Sequence, residues 1–443
     1  MIQRKVIAWS IITALGGFLF GFDTAVISGA EQAIQQYWSL TDLQHGFTIS
    51  IALIGTVTGA LFGRIPADSL GRKKSLIIIA FIFLFASLGT ALATNWYVFV
   101  TLRFMGGLGV GVSSVIAPIY ISEIAPAKAR GRLVILFQFN IVFGILISYL
   151  SNYLIGLMFQ DSWRLMLGIM AVPSFLFLVL LRFVPESPRW LILHKSRNDE
   201  ARDTLMIINP EGYEEEMMNI INSMDEEKED INAESLFNPR YRFPAMLAVL
   251  FAFFNQVSGI NAIIYYAPRI FSAAGLAKNA SLLSTAGLGL VNLIFTMIAI
   301  GFIDKIGRKQ LMLIGSFGLI LTLGLVSYSF YGAGSGGYVV AFYLMIYIAF
   351  FAFSQGAVIW VFISEIFPNQ VRAKGQTLGS STHWVMATLI AFSFPYITGK
   401  IGESSTFLFF TVMMVLQLLF VWRMMPETKG KSLEQIERTL TMH

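Results

Sequence analysis

The sequence has 443 residues, of which 56% are hydrophobic and 13% are charged, and its mean hydropathy is +0.69. A soluble domain carries about 25% charged residues, so this composition excludes a water-soluble protein and predicts one embedded in a lipid bilayer. The chain contains no cysteine, which excludes disulfides, thiolate metal sites and a cysteine nucleophile. The net charge of +5 comes without a compact basic run, which argues against a nucleic-acid partner.

Twelve stretches are long and apolar enough to cross a membrane. A bilayer core about 30 Å thick needs roughly 20 apolar residues per helix, and helix is expected because a backbone in lipid must satisfy its own hydrogen bonds. The stretches lie near 6–30, 46–65, 75–94, 97–119, 133–158, 163–184, 243–271, 282–303, 310–330, 338–364, 376–398 and 405–424. The sequence therefore predicts an all-α integral membrane protein with twelve transmembrane helices.

The positions of Lys and Arg predict that both termini are cytoplasmic. Cytoplasmic loops carry an excess of these residues, and with this orientation all but five of the 31 basic residues lie on that side or at its edge. The five exceptions are Arg103, Arg164, Arg269, Lys278 and Lys400. We expect a multi-pass protein of the cell membrane, plasma or inner.

The segment between the sixth and seventh stretches differs from the rest of the chain. Residues 199–234 hold 13 of the 26 acidic residues. The sequences "NDEARDTLMII" and "GYEEEMMNIINSMDEE" place apolar residues at helical spacing among charges, which predicts short amphipathic helices beneath the membrane. The segment is either a solvated linker between two halves or a latch that packs against the cytoplasmic ends of the spans.

Three motifs recur at an offset of about 240 residues. "LGRKKSL" returns as "IGRKQLM", "YISEIAPAKARG" as "FISEIFPNQVRAKG", and "VPESPRW" as "MPETKGK". Such a repeat predicts two six-helix bundles, with a substrate site near the midplane that opens to each side as one bundle rocks against the other. We expect an N-terminal bundle at 1–190, a cytoplasmic helical linker at 191–240, and a C-terminal bundle with a short tail at 241–443.

These and other motifs carry a resemblance to a known family. "GGFLFGFDTAVISG", "DSLGRKK", "RFMGGLGVG", "PESPRWL", "QVSGINAIIYYAP", "WVFISEIFPNQVR" and "PETKGKSLEQIE" run along the whole chain. They resemble the sugar porters of the major facilitator superfamily, which include bacterial proton-coupled symporters and animal facilitative glucose transporters. The resemblance implies the major facilitator fold and transport of a monosaccharide by alternating access.

The resemblance also implies a sugar-binding site. A monosaccharide is a ring of hydroxyls on a partly apolar body, so its site needs amides that both donate and accept, together with aromatic faces. Any single amide could instead hold helices together. The positions implied for the sugar are Phe20, Gln138, Asn255, Gln256, Asn261, Asn292, Trp360, His383 and Trp384.

Two of these positions depart from the family pattern. Asn255 stands where much of the family has glutamine, and His383 stands where the xylose symporter has glutamine. His383 is a sugar hydrogen-bond partner, a second titratable group, or a packed histidine. Glucose, galactose, xylose and fructose all remain open as substrates.

Asp23 is a carboxylate within the first span. Burying such a group costs about 2.5–3.5 kcal/mol on insertion scales, so it usually has a partner and a function. Arg103 is the expected partner, because each residue lies seven positions inside the end of its span. In the family this position carries the proton in symporters, whereas the alternative is a purely structural ion pair.

Charged motifs at the cytoplasmic helix ends predict a gate. By resemblance they form salt bridges, some across the two bundles, that favour the outward-open state; the alternative is ordinary positive-inside charge near lipid headgroups. The gate positions are Asp68, Arg72, Glu123, Arg130, Glu186, Arg189, Arg308, Glu365 and Arg372.

The sequence as a whole favours a proton-coupled symporter of a hexose or pentose that works as a monomer in the lipid bilayer. A facilitative uniporter of the same fold is the alternative. A membrane sugar sensor is less favoured, because we expect it to carry a long signalling tail, and only a short segment follows Pro426. No HExxH or GxSxG motif is present, so neither an enzyme nor a bound cofactor or metal is expected.

Overall fold

The computed structural model describes residues 3–126, 129–159, 162–195, 197–229, 235–236, 238–331, 336–431 and 435–436. Over these ranges the secondary structure is helical, without a strand. The helices are α1 (Arg4–Tyr37), α2 (Asp42–Phe62), α3 (Arg64–Leu70), α4 (Arg72–Leu92), α5 (Trp96–Ile124), α6 (Arg130–Met158), α7 (Trp163–Gly168), α8 (Ala171–Leu180), α9 (Pro188–Lys195), α10 (Asn198–Ile208), α11 (Tyr213–Glu229), α12 (Arg242–Val257), α13 (Ile260–Ala273), α14 (Lys278–Ile306), α15 (Arg308–Tyr331), α16 (Gly337–Phe353), α17 (Gln355–Glu365) and α18 (Asn369–Met424). Short 3₁₀ turns occupy Leu181–Phe183 and Pro239–Tyr241.

The helices provide the twelve membrane spans that the sequence predicts. Eleven helical stretches of the described chain are long and apolar enough to cross a bilayer. The last of them covers two spans, because the backbone of α18 leaves the helical region at Gly402 (φ 80°, ψ 165°). An unbroken helix of 56 residues would be about 84 Å long at 1.5 Å per residue, far more than one bilayer core. The prediction of twelve spans is confirmed.

Contacts divide the chain into two compact units. The first comprises 1–26, 51–151 and 162–232, and the second comprises 27–50, 152–161 and 233–443. The C-terminal end of α1 and the beginning of α2 therefore pack within the second unit. The boundaries predicted from the repeat, 1–190, 191–240 and 241–443, stay a prediction.

In the first unit, glycines let α1 approach two neighbouring helices closely. A Cβ built on Gly21 would lie 1.9 Å from the carbonyl oxygen of Ile141 on α6, and one on Gly144 of α6 would lie 2.2 Å from that of Phe18. Small residues allow such close helix crossings in membranes. On the α5 side, a Cβ on Gly106 would lie 3.6 Å from Asp23 Oδ1. These crossings bring the carboxylate of α1 within reach of α5.

The charged segment between the sixth and seventh spans forms the two predicted amphipathic helices, α10 and α11. Their apolar faces pack with α9 in a small core. Its buried and half-buried members are Trp190, Leu191, Ile192, Ala201, Leu205, Tyr213, Met217, Ile220 and Ile221. Trp190 Nε1 donates a hydrogen bond to the carbonyl oxygen of Asp68 at 2.7 Å, which joins α9 to α3. These contacts within the first unit favour a packed segment over a solvated linker.

Candidate functional site

The second unit contains a cluster of amides at a break between two helices. α12 ends at Val257 and α13 begins at Ile260, and Gly259 between them has a φ of 86°, a conformation that favours glycine. Asn261 Nδ2 donates to Gln256 Oε1 at 2.5 Å, and Gln256 Nε2 donates to Asn255 Oδ1 at 2.8 Å. The break therefore brings three of the sequence-predicted amides into one hydrogen-bonded chain.

His383 and two tryptophans border this amide cluster. Both ring nitrogens of His383 lie within hydrogen-bond distance of Gln256 Nε2, at 3.2 and 3.3 Å. The His383 ring lies 4.9 Å from the Trp360 ring and 5.1 Å from the Trp384 ring, measured between centroids. Trp360 is 40% exposed, so its indole offers a free apolar face. Amides, an imidazole and indoles at this spacing can hydrogen-bond and stack on a sugar ring.

The other three predicted sugar positions lie on separate helices. Asn292 on α14 is half-buried and accepts a hydrogen bond from Thr296 Oγ1 at 3.4 Å. Gln138 on α6 and Phe20 on α1 are half-buried residues of the first unit. Their participation in one sugar site with the second-unit cluster stays a prediction.

Asp23 and Arg103 form a buried ion pair in the first unit. Arg103 Nη1 donates to Asp23 Oδ1 at 2.8 Å, and the two residues are only 3% and 6% exposed, respectively. A small cavity borders the pair, and its mostly apolar lining also includes Ser87 and Thr90. Nε and Nη2 of Arg103 are buried and have no hydrogen-bond partner among the described residues. One N–H of the guanidinium is therefore bonded to the carboxylate of Asp23, and Arg103 also lines the cavity.

The two halves of the repeat build the same arginine–glutamate pair. In the first unit, Nε and Nη2 of Arg72 donate to Glu123 at 3.0 and 2.9 Å. In the second unit, Nε and Nη2 of Arg308 donate to Glu365 at 3.2 and 2.7 Å. Each pair is bidentate, the stronger geometry for a guanidinium and a carboxylate. These pairs lie within their own units, and pairing across the halves stays a prediction.

A second carboxylate in each unit holds the start of a helix. Glu186 accepts hydrogen bonds from the backbone N–H groups of Arg72, Lys73 and Ser187, at 2.8–3.2 Å. Glu427 accepts in the same way from the N–H groups of Arg308 and Lys309, at 3.0 Å. Burial raises the pKa of the Glu186 carboxyl above its ordinary value although these N–H groups favour the carboxylate. Its role is that of a hydrogen-bond acceptor for unpaired helix N–H groups.

Two further gate positions, Asp68 and Arg372, also make hydrogen bonds. Asp68 accepts from Arg72 Nη1 at 3.2 Å and from the exposed Arg64. Arg372 Nε donates to the carbonyl oxygen of Phe367 at 3.3 Å. Arg130 is exposed, and Arg189 is half-buried.

The sequence analysis missed a second buried charge cluster, formed by Glu31, His45 and Arg269 in the second unit. Arg269 Nη2 donates to Glu31 Oε2 at 2.7 Å, and His45 Nε2 lies 2.7 Å from the same oxygen. Glu31 and His45 are fully buried. Arg269 was one of the five exceptions to the positive-inside pattern, and that exception was the available signal.

Comparisons with known proteins agree with this architecture. The family model "Sugar (and other) transporter" matches residues 9–440. The arabinose-proton symporter of Bacillus subtilis is 38% identical and is aligned over 98% of this chain and 94% of its own length. The D-xylose-proton symporter of Escherichia coli is 34% identical, with 97% of this chain and 94% of its own length covered. The inward-open structure of the xylose transporter XylE from Escherichia coli superposes with a TM-score of 0.87 at 33% identity, covering 98% of this chain and 100% of that chain.

Proposed function

We propose that this chain, which belongs to the sugar (and other) transporter family, is a proton-coupled monosaccharide symporter that works by alternating access. It is a multi-pass membrane transporter, not an enzyme. Relatives named as arabinose-proton and D-xylose-proton symporters support both the sugar substrate and the coupling ion. Both of these sugars are pentoses, and a further relative, 36% identical, is named as a glucose transporter, so a pentose or a hexose is the substrate class.

The observation that carries proton coupling is the ion pair of Asp23 and Arg103. Taking a charged pair out of water costs several kcal/mol per ion, and hydrophobic residues of similar size could fill this space. The small cavity beside the pair has a mostly apolar wall that also includes Ser87 and Thr90, and it is the space through which we propose that a proton reaches the carboxylate. A proton on Asp23 removes the attraction that holds α1 to α5 at this point.

The amide cluster of the second unit binds the sugar in this proposal. Gln256 accepts from Asn261 with its oxygen, and its nitrogen donates to Asn255 and lies within hydrogen-bond distance of His383. Sugar hydroxyls both donate and accept, so they can replace these partners without leaving a buried amide unpaired. Gln138, Asn292 and Phe20 complete the binding site, and Trp360 and Trp384 stack on the ring.

We also propose that both termini are cytoplasmic and that the protein lies in the cell membrane. The distribution of Lys and Arg supports cytoplasmic termini in the cell membrane. The gate residues at the repeated "GRK" motifs then lie on the cytoplasmic side. We expect the monomer, in the lipid bilayer, to be the transporting unit.

Uptake into proteoliposomes tests the proposed function. The purified protein is reconstituted and offered radiolabelled arabinose, xylose, glucose, galactose and fructose, each with an inward proton gradient and with the gradient collapsed by a protonophore. We expect at least one sugar to accumulate above its external concentration only when the gradient is present. Equal final levels with and without the gradient would identify a facilitative uniporter, and uptake of none of the sugars would overturn the proposal.

A further inference from the structure

A charge cluster of Glu31, His45 and Arg269 joins the end of α1, the beginning of α2 and α13 within the second unit. Glu31 lies near the end of α1, His45 in the first turn of α2, and Arg269 in the last part of α13. Nε of Arg269 lies 3.0 Å from Glu31 Oε1, and its Nη2 lies 2.7 Å from Oε2, so the carboxylate is held by two N–H groups. Ionisable groups inside membrane spans are expensive and mark functional sites by default.

The charges of this cluster balance only while Arg269 stays in place. One carboxylate and one guanidinium cancel, so these two groups are neutral together, and Nε2 of His45 is placed to donate to Glu31 because a carboxylate only accepts. Its Nδ1 is buried and has no hydrogen-bond partner among the described residues. A proton added to Nδ1 would give the buried cluster an uncompensated positive charge.

Arg269 is the member that can leave. Its side chain is 25% exposed, whereas those of Glu31 and His45 are 0% exposed. α13 is a short helix that begins at the Gly259 break and departs from helical geometry again at Tyr266, just before Pro268. If Arg269 swings into water, Glu31 is left as a lone buried carboxylate, which is strongly unfavourable. A proton on His45 would restore the balance.

We propose that Glu31 and His45 form a second proton-binding site, distinct from Asp23, in which the proton on His45 and the guanidinium of Arg269 exclude one another. The proton reaches Nδ1 of His45, and the resulting imidazolium pairs with Glu31 in place of Arg269. By linkage, a lower pH favours the state in which Arg269 has left, with a population ratio that changes by up to about tenfold per pH unit for one proton.

A further carboxylate, that of the exposed Asp42, also acts electrostatically on Arg269. On α2, the exposed Asp42 is connected to the cluster through Gln35, whose Nε2 lies 3.2 Å from Asp42 Oδ1. On α13, the Tyr266 ring lies 6.1 Å from the His45 ring and its hydroxyl donates to the carbonyl oxygen of Ala391 on α18. α18 adds the apolar ring of Phe394 against Tyr266, and its Lys400 is exposed.

The site deepens the proposed function because α13 also carries Asn261 of the amide cluster at its other end. Release of Arg269 frees the far end of α13, and the Gly259 break allows the helix to move while α12 stays. In the proposed orientation the far end faces the outside. External protons would then favour opening of the outer face.

Histidine NMR tests the site without any sugar, so its failure is distinguishable from failure of sugar transport. The chain has four histidines, and the His45→Gln variant assigns the His45 signal. In a titration from about pH 8 to pH 5, we expect His45 to become an imidazolium at a higher pH in Arg269→Met than in the wild type, because its proton replaces the lost guanidinium. Lys400→Met, which removes an exposed cation of α18, should behave as the wild type. A neutral His45 in Arg269→Met over this whole pH range would overturn the proposal.

A distance measurement keeps the proposal testable if Arg269→Met does not fold. The chain has no native cysteine, so spin labels at Tyr37→Cys on α1 and Ala273→Cys on α13 report only on these two exposed positions. We expect the longer-distance population to grow as pH falls from about 7.5 to 5.5, and to lose this dependence in His45→Gln. A distance distribution that is independent of pH in the otherwise wild-type chain would contradict the proposal.

Discussion

The contribution of an ion pair to the stability of this protein depends on how deeply its side chains are buried. Arg72 and Glu123 are only 9% and 8% exposed in their side chains, whereas Arg197 and Glu200 at the start of α10 are 54% and 53% exposed. Exposed pairs contribute about 0–1 kcal/mol because water and salt screen them. Removing one partner of a buried pair costs about 3–5 kcal/mol, since the other charge remains in a poor solvent.

We therefore expect Glu123→Ala to lower the unfolding free energy by about 3 kcal/mol or more, and Glu200→Ala to change it by less than about 1 kcal/mol. The midpoint of thermal unfolding in detergent measures both variants against the wild type. Arg72→Met combined with Glu123→Ala should recover part of the loss, because it removes the stranded charge. Equal shifts for Glu123→Ala and Glu200→Ala would contradict this account of burial.

Truncation of the amides tests the sugar positions one at a time. Gln256→Ala, Gln138→Ala and Asn292→Ala should each weaken sugar binding by about 1–3 kcal/mol, because hydroxyls of the bound sugar lose a partner. Gln36→Ala, at an exposed glutamine of α1, is the matched control and should bind as the wild type. Calorimetry with the transported sugar measures the affinities. Wild-type affinity for sugar in all three variants would show that these residues do not bind the sugar.

The sequence predicted the buried ion pair of Asp23 and Arg103 but not that of Glu31 and Arg269. Asp23 and Arg103 could be matched because both lie at the same depth from the end of a span. Glu31 and Arg269 are 238 positions apart, and Glu31 follows the apolar core of its span, so the sequence offered no reason to pair them. Only the fold shows that the end of α1 packs within the second unit.

At the scale of helices, hydropathy predicts the spans but not their breaks. α16 and α17 lie within one predicted span, yet the backbone leaves the helix at Ser354 (φ −116°, ψ −87°). α12 and α13 are likewise one apolar stretch broken at Gly259. Apolar composition reports burial in lipid, whereas a break depends on local backbone conformation and on packing partners. The Gln256 cluster sits at such a break, so its geometry could not be predicted.

The repeated glycine before α4 and α15 is required by geometry. Gly71 has φ 98° and ψ 164°, and Gly307 has φ 102° and ψ 154°, a region that is essentially restricted to glycine. A Cβ on Gly71 would lie 2.4 Å from Glu186 Oε2, and one on Gly307 would lie 2.7 Å from Glu427 Oε2. Glycine thus lets each carboxylate reach the free N–H groups at the helix start.

Gly307→Ala should destabilise the protein by about 1–3 kcal/mol, because it forces alanine into this backbone region and pushes Glu427 away. Gly301→Ala is the matched control: this glycine of α14 has nothing within 4 Å of its built Cβ and no positive φ. Alanine there should be neutral or slightly stabilising, since it reduces the entropy of the unfolded chain. Thermal unfolding of the two variants in detergent compares them. A larger loss in Gly301→Ala would refute the argument.

At the scale of the whole molecule, the internal duplication explains why the charged residues at the ends of the helices could be predicted from the sequence. The "GRK" arginine, its glutamate partner and the carboxylate that caps the helix recur with nearly the same geometry in both units. The repeat was visible in the sequence because both copies must satisfy the same backbone groups. Asp23 has no such counterpart in the repeat motifs, which is consistent with a function that only one half performs.

The central claim is that the proton acts through Asp23, and transport by Asp23→Asn tests it most directly. Asparagine mimics the protonated carboxyl permanently, so the variant should still bind sugar and exchange it by counterflow in proteoliposomes. It should not accumulate sugar when an inward proton gradient is imposed, whereas Asp199→Asn, at an exposed position on α10, should accumulate it as the wild type does. Gradient-driven accumulation by Asp23→Asn equal to that of the wild type would contradict the claim.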